Sequence, residues 1–142
     1  MKKKKMKTAD YPLSENHNDS IFSKNGVKLS DLTLESLLNG SVSDEDIQIS
    51  AETLKYQSQI SHNAGRKPLG YNFERAAEMV NIPNELIMEI YEKLRPGRSK
   101  NRDELLSYAN LLRNKYRAPL LADFILEAAN IYKKRGLYRT RF

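Results

Sequence analysis

The stretch NAGRKPLGYNFERAAEMVNIP, residues 63–83, decides the fold. It admits three readings: a phosphate-cradling loop, a basic helix that reads nucleic acid, or a helix stop followed by a helix start. Gly65 and Gly70 have the spacing of phosphate-loop glycines. Such a loop also needs Lys and then Ser or Thr after the second glycine, so that an amine meets the phosphates and a hydroxyl meets Mg²⁺. Tyr71 and Asn72 stand there instead, Pro68 removes a backbone donor, and no strand pattern precedes. The stop-and-restart reading fits better. Gly65 ends one helix, Pro68 suits the first turn of the next, and Leu69, Phe73, Ala76 and Val80 recur as one stripe. The low helix propensity of Pro68 and Gly70 predicts a late start for this second helix.

Upstream, Ser50 predicts an N-cap for a helix over residues 51–64, and Thr33 one for a short helix carrying Leu34, Leu37 and Leu38. Asn39-Gly40 ends that short helix, and Ser43 with Asp46 has the form of a relaxed capping box. Downstream, Pro83 starts a helix with Ile87, Ile90, Tyr91 and Leu94 in register, and Pro96-Gly97 breaks it. Ser99 leads into another with Leu105, Ala109, Leu112 and Tyr116. Pro119 begins the last, with Leu121, Phe124, Ile125, Ala128, Ile131 and Tyr132 in register, and Gly136 ends it. The expectation is an all-α bundle of five or six short helices. Residues 1–30 are polar and aperiodic around Tyr11-Pro12-Leu13 and Ile21-Phe22, and are expected as an extended arm. A helical domain over 31–136 and a basic tail over 137–142 complete the division.

The chain has 142 residues, of which 39% are hydrophobic, and a mean hydropathy of −0.68. That bounds it to one domain with a modest core. Without cysteine it has no disulfide framework, thiolate nucleophile or zinc cage. No run of about 18 apolar residues exists to cross a membrane, and no signal-peptide core follows the N-terminal lysines. A cytoplasmic location is expected. The net charge of +6 invites a nucleic-acid reading, but its distribution opposes one. Lys2, Lys3, Lys4, Lys5 and Lys7 open the chain, and Lys133, Lys134, Arg135, Arg139 and Arg141 close it. These ten leave 14 of the 24 basic residues in the body against all 18 acidic ones, a net of −4. The alternative function from another class is a stand-alone helical binding module that touches nucleic acid through those tails.

No catalytic constellation is legible. His17 and His62 are far apart in sequence, neither with a second metal ligand at helical spacing. Asp44-Glu45-Asp46 lacks the glycine and alternating ligands of a calcium loop and suits a first helical turn instead. Asn18-Asp19-Ser20 and Asn39-Gly40-Ser41 match glycosylation sequons, without a secretory signal to give them meaning. Arg66, Arg75, Arg95, Arg98 and Arg117 sit beside aromatic, proline or small residues, as interface arginines do, and equally suit a solvated surface. Ala76-Ala77 and Ala128-Ala129 predict close approach of a neighbouring helix.

The segments DYPL (10–13), DLTLESLLNGSV (31–42), ISAETLKYQSQI (49–60), NFERAAEM (72–79), IPNELIMEIYEKLRPGRS (82–99), DELLSYANLL (103–112) and the run from Ala122 to Tyr132 follow in that order. Together they resemble the small subunit of adenosylcobalamin-dependent diol and glycerol dehydratases over residues 9–135. The resemblance implies an assembly of large, medium and small subunits, two of each. Its large subunit is a barrel that holds the diol and a metal ion, and cobalamin lies between the large and medium subunits. It implies a reaction begun by homolysis of the cobalt–carbon bond and hydrogen abstraction by the adenosyl radical. Hydroxyl migration and loss of water then give an aldehyde. The small subunit is helical and lacks catalytic, cofactor-binding and metal-binding residues. Tyr11, Pro12, Leu13, Phe73, Arg75, Arg95, Pro96 and Arg98 are the expected partner contacts. The short segment before DYPL resembles the glycerol type and Ala64-Gly65-Arg66 the diol type, so substrate preference and enclosure in a microcompartment stay open.

Overall fold

Short polar side chains close three of the helix starts, at Thr33, Ser50 and Asn101, while prolines stand at or beside the other four. The structure is a computed structural model that describes residues 5–138. Helix α1 spans Leu13–Asn16 after Pro12. Helix α2, Leu34–Leu38, is capped by Thr33, whose Oγ1 accepts from the Ser36 N–H at 3.1 Å. Helix α3, Ala51–Asn63, is capped by Ser50, which accepts from the Thr53 N–H at 3.2 Å. Helices α4 (Lys67–Met79) and α5 (Asn84–Leu94) follow short turns. Helix α6 covers Arg102–Asn114, and α7 covers Pro119–Arg135 up to the left-handed Gly136. Short 3₁₀ turns fill Thr8–Asp10, Asn18–Ser20, Leu29–Asp31 and Asp44–Ile47. The last is closed by the expected Ser43–Asp46 box, in which Asp46 Oδ2 accepts from the Ser43 N–H and Oγ–H, both at 2.9 Å. Among the described residues there are isolated bridges but no strand, and the fold is all-α.

The chain divides after Val80 into two compact units. In the first, α3 ends in a Schellman motif: the Arg66 N–H donates to Ser61 O at 2.8 Å and the Gly65 N–H to His62 O at 3.0 Å. Gly65 takes φ +75°, which lets the chain reverse within three residues. Helix α4 then runs back along α3, where Ser58 Oγ donates to Glu74 Oε1 at 3.0 Å. It starts at Lys67, not late, because Pro68 falls in the first turn and Gly70 has a packing reason to be there. A Cβ at Gly70 would lie 2.6 Å from the His62 ring. The buried face of α4 carries Gly70 and Ala77, while Leu69 of the expected stripe is 40% exposed. The two helices meet over small side chains, so the larger apolar ones are displaced to the flank.

The segment expected as an extended arm is wound into turns and held down. Met6, Leu13 and Ile21 are buried with Ile60, against which Leu29 and Tyr56 also pack. Gln59 and Asn63, one turn apart on α3, catch the backbone of this segment. The Met6 N–H donates to Gln59 Oε1 at 2.8 Å, and the Thr8 N–H and Oγ1–H donate to Asn63 Oδ1 at 2.8 and 2.9 Å. Lys2, Lys3 and Lys4 lie outside the described residues.

In the second unit, α6 and α7 form an antiparallel pair. Arg102 at the start of α6 donates to Asn130 near the end of α7, and Arg113 near the end of α6 pairs with Asp123 near the start of α7. Their seam is Leu105, Ala109, Leu112, Ala122, Ile125 and Ala129, all essentially inaccessible, with Ile82 and Ile90 joining the same core. Ala129 is buried as the alanine pairs predicted, whereas Phe124 and Ile131 of the expected α7 stripe are 43% and 38% exposed. Asn101, not Ser99, caps α6, its Oδ1 accepting from the Glu104 N–H at 3.0 Å. Tyr138 Oη donates to Ala129 O at 2.6 Å, and Arg139 and Arg141 lie outside the described residues.

The Gly70 contact can be tested directly. Helix propensity alone favours Gly70→Ala by about 0.5–1 kcal/mol, whereas overpacking costs about 1–3 kcal/mol. Urea unfolding should show net destabilisation by Gly70→Ala. Combining it with His62→Ala should recover part of the loss.

Candidate functional site

The expected contact residues fall on two surfaces, one on each unit. On the first unit, Tyr11 stands 61% exposed between two apolar grooves of about 440 and 580 Å³. Tyr11, Ile49 and Gln57 line both, so they form the ridge between them. Pro12, Leu13, Phe22 and Ile47 continue the wall of the smaller groove. Ile60, Arg66, Leu69 and Phe73 belong to the larger one. The ridge exists because Leu13 is buried while Tyr11, two residues earlier, points outward. Phe73 is half-buried in the groove wall. Arg75 is not part of that lining, and its Nη2 donates to Asn72 Oδ1 on the same helix.

On the second unit, Arg95-Pro96-Gly97-Arg98 forms an exposed turn after α5. Glu92 accepts both guanidinium groups: Arg95 Nη1 lies 2.9 Å from Oε2, and Arg98 Nε lies 3.2 Å from Oε1. The turn is fixed from beneath. Ser99 is 1% exposed, and its Oγ donates to Lys93 O at 2.5 Å. Gly97, at φ +76°, donates its N–H to Leu137 O at 2.8 Å. Glu104 accepts from Lys93 Nζ at 2.6 Å and from the Lys100 N–H at 2.7 Å. Arg95 and Arg98 are therefore outward groups on a braced loop.

The titratable groups follow this geometry. The Lys93 ammonium and then the Lys100 N–H hold the Glu104 carboxyl below the ordinary carboxylate range. Glu92 is lowered first by its hydrogen bond from Arg95. Burial, and then the Tyr108 Oη–H bond to Glu89, push the Tyr108 phenol up to about 12.

Ser58, His62 and Glu74 are members of a triad by type but not by wiring. His62 Nε2 lies 3.0 Å from Glu74 Oε1, and Ser58 Oγ bonds the same oxygen, so the carboxylate stands between the other two. A nucleophile needs the imidazole beside its own hydroxyl. The second imidazole, His17, lies 2.8 Å from Asp10 Oδ1. No three His, Cys, Asp or Glu side chains converge as a metal cage among the described residues, and no helix among them is long and apolar enough to cross a membrane.

Ile49 and Gln57 carry no signal of a surface role in the sequence, and Leu69 reads there only as a member of an apolar stripe. Ile49 stands outside any helix, where periodicity gives no guidance. The bracing by Ser99 was equally hidden, since Ser99 had served as a helix lead-in.

Exposed aromatic and arginine side chains on a helical framework are residue types common at protein interfaces. The chain belongs to the dehydratase small-subunit family, whose model matches residues 6–139. It is 43% identical over 129 residues to the propanediol dehydratase small subunit of Citrobacter freundii, covering 91% of this chain and 74% of that one. The propanediol dehydratase small subunit of Salmonella typhimurium matches with the same identity and coverage. As a family member, this chain is one non-catalytic subunit of a multisubunit dehydratase.

Stability of the second unit should depend on pH in two windows. A carboxyl lowered by folding stabilises above its unfolded value and loses that contribution as pH falls through the lowered one. At matched neutral stability, acid unfolding should therefore come at lower pH in Glu104→Gln than in the parent, because glutamine has no such contribution to lose. The raised Tyr108 phenol has the opposite sense: its contribution is complete below about 10 and declines up to about 12. Denaturant midpoints across that alkaline range should fall less in Tyr108→Phe.

Proposed function

We propose that this chain is the small subunit of an adenosylcobalamin-dependent diol dehydratase acting on 1,2-propanediol, with glycerol as the second candidate substrate. The observation that carries the reading is 43% identity spread over 91% of the chain to small subunits named for propanediol dehydratase. Large and medium subunits, two copies of each alongside two of this one, hold the diol and the cofactor and perform the dehydration. The two imidazoles of this chain each sit on a carboxylate, at 2.8 and 3.0 Å. Its part is to dock.

The contacts we assign are Tyr11, Pro12, Leu13 and Phe73 at the twin grooves, Arg75 on α4, and Arg95, Pro96 and Arg98 on the braced turn. Exposed Tyr and Arg held in fixed geometry are the residue types that concentrate binding energy at protein interfaces. The acidic body of the chain supports protein partners over a phosphate backbone. The assembly is placed in the cytoplasm, and enclosure in a microcompartment is a separate question that fractionation answers.

Co-expression of a tagged form of this chain with dehydratase large and medium subunits should yield a complex that consumes diol only when adenosylcobalamin is added. The purified chain alone should be inactive. Failure of the three subunits to co-purify sinks the reading, and the ratio of propanediol to glycerol turnover decides the substrate. Within that complex, Tyr11→Ala and the pair Arg95→Glu/Arg98→Glu should each reduce retention of this subunit. Hot-spot truncations typically cost about 2 kcal/mol or more, and the charge reversal should respond most strongly to salt.

A further inference from the structure

The chain contains two Asn-Gly dipeptides, Asn25-Gly26 and Asn39-Gly40. Glycine after asparagine leaves the following backbone nitrogen unobstructed, so that it can reach the side-chain amide carbon. In that reaction the Gly nitrogen bonds to Asn Cγ while the Cγ–Nδ2 bond breaks. Ammonia leaves, carrying the proton of the Gly N–H, and a five-membered succinimide remains. Water then opens the ring on either side to give isoaspartate or aspartate, so the balance is one water in and one ammonia out. No oxidant or reductant takes part. Sequence alone ranks the two positions equally, because both have glycine next.

Their surroundings differ. Asn25 Nδ2 donates to Asp46 Oδ1 at 3.0 Å and to Glu45 O at 3.4 Å, a tie across about twenty residues of chain. Its turn is closed by the Ser23 N–H donating to Val27 O at 2.8 Å, and the neighbouring Lys24 N–H donates to Gln48 O at 2.7 Å. Turning Asn25 into the reactive geometry breaks the link between two segments.

Asn39 is held only by its neighbours. It caps the C-terminus of the five-residue helix α2 with φ −82° and ψ −2°. Its Oδ1 accepts from the Ser41 N–H at 2.9 Å and from Ser41 Oγ at 2.5 Å. Nδ2 makes no hydrogen bond among the described residues, so the leaving group is untied. The Gly40 N–H donates to Leu37 O at 3.3 Å, a long bond, and nothing lies within 4 Å of where a Gly40 Cβ would stand. Rotation about the Asn39 Cα–C bond, which carries the Gly40 nitrogen onto Cγ, disturbs only contacts within the Thr33–Val42 segment, including those of Ser41 and Val42 to Ser36 O.

We propose that Asn39 is the site of spontaneous deamidation and isoaspartate formation in this chain, and that Asn25 is protected by its tie to the Asp44–Ile47 turn. The product places a carboxylate and an extra backbone methylene at the end of α2, between Leu38 and Val42.

The test is incubation of the full-length folded chain in mildly alkaline buffer. Peptide mapping by a fragmentation method that separates isoaspartate from aspartate then follows both positions. If the extra tie at Asn25 raises the barrier by one ordinary hydrogen bond, Asn39 should react about tenfold faster. In concentrated urea, where both surroundings are lost, the two rates should agree to within about twofold. Asp46→Ala should accelerate Asn25 in the folded chain while leaving Asn39 unchanged. Equal rates in the folded chain, a faster Asn25, or a ratio unaltered by urea would each overturn the proposal.

Discussion

Where α6 runs against α7, the side chains between the two backbones are Ala109, Ala122 and Ala129, with Leu105, Leu112 and Ile125 filling the space between those close points. The α3–α4 pair is built on the same constraint with smaller groups still: Ser58, Ser61, Gly70 and Ala77. Close approach of paired helices over small residues sets everything else in each unit. It fixes the rotation of α4, so that Leu69 and Phe73 come out at the flank and wall a groove. In the reversals between the paired helices, Gly65 takes a left-handed conformation before α4, and Arg117, at φ +52°, takes one before α7. An arginine there is uncommon and carries strain that glycine would not. The buried Ala118 that follows shows how little room the turn has.

Helix starts and stops were the most legible part of the sequence, because they depend on one residue and its immediate neighbours. Thr33, Ser50, Gly65, Pro119 and Gly136 mark ends where the structure has them. The faces were less legible. Periodicity identifies an apolar stripe but not whether a neighbouring helix lies over it, and a stripe of large residues loses to a stripe of small ones when two helices must approach closely. That is why the 69–73–76–80 stripe of α4 is turned partly outward and Gly70 inward. Ser99 does lead into α6, but the cap is the neighbouring Asn101, and Ser99 bonds Lys93 O from a buried position.

The candidate contacts divide in the same way. Tyr11 and the RPGR turn could be found in sequence because aromatic and arginine residues beside proline stand out locally. Ile49 and Gln57 could not, since their role comes from lying next to Tyr11 after folding. Family membership accounts for an otherwise puzzling combination: braced outward-facing side chains together with histidines that each answer to one carboxylate.

The hold of Gln59 and Asn63 on the backbone of Met6 and Thr8 reaches beyond local stability. Both amides bond main-chain N–H groups, and Asn63 also accepts from the Thr8 hydroxyl, so they read mainly the position of the chain. At Thr8, which is exposed, a serine would keep both bonds to Asn63 and other residues would keep the backbone one. A single-residue deletion between Met6 and Leu13 would instead slide every donor past its acceptor and draw Met6 out of its pocket. This part of the protein therefore tolerates change of letter far better than change of length.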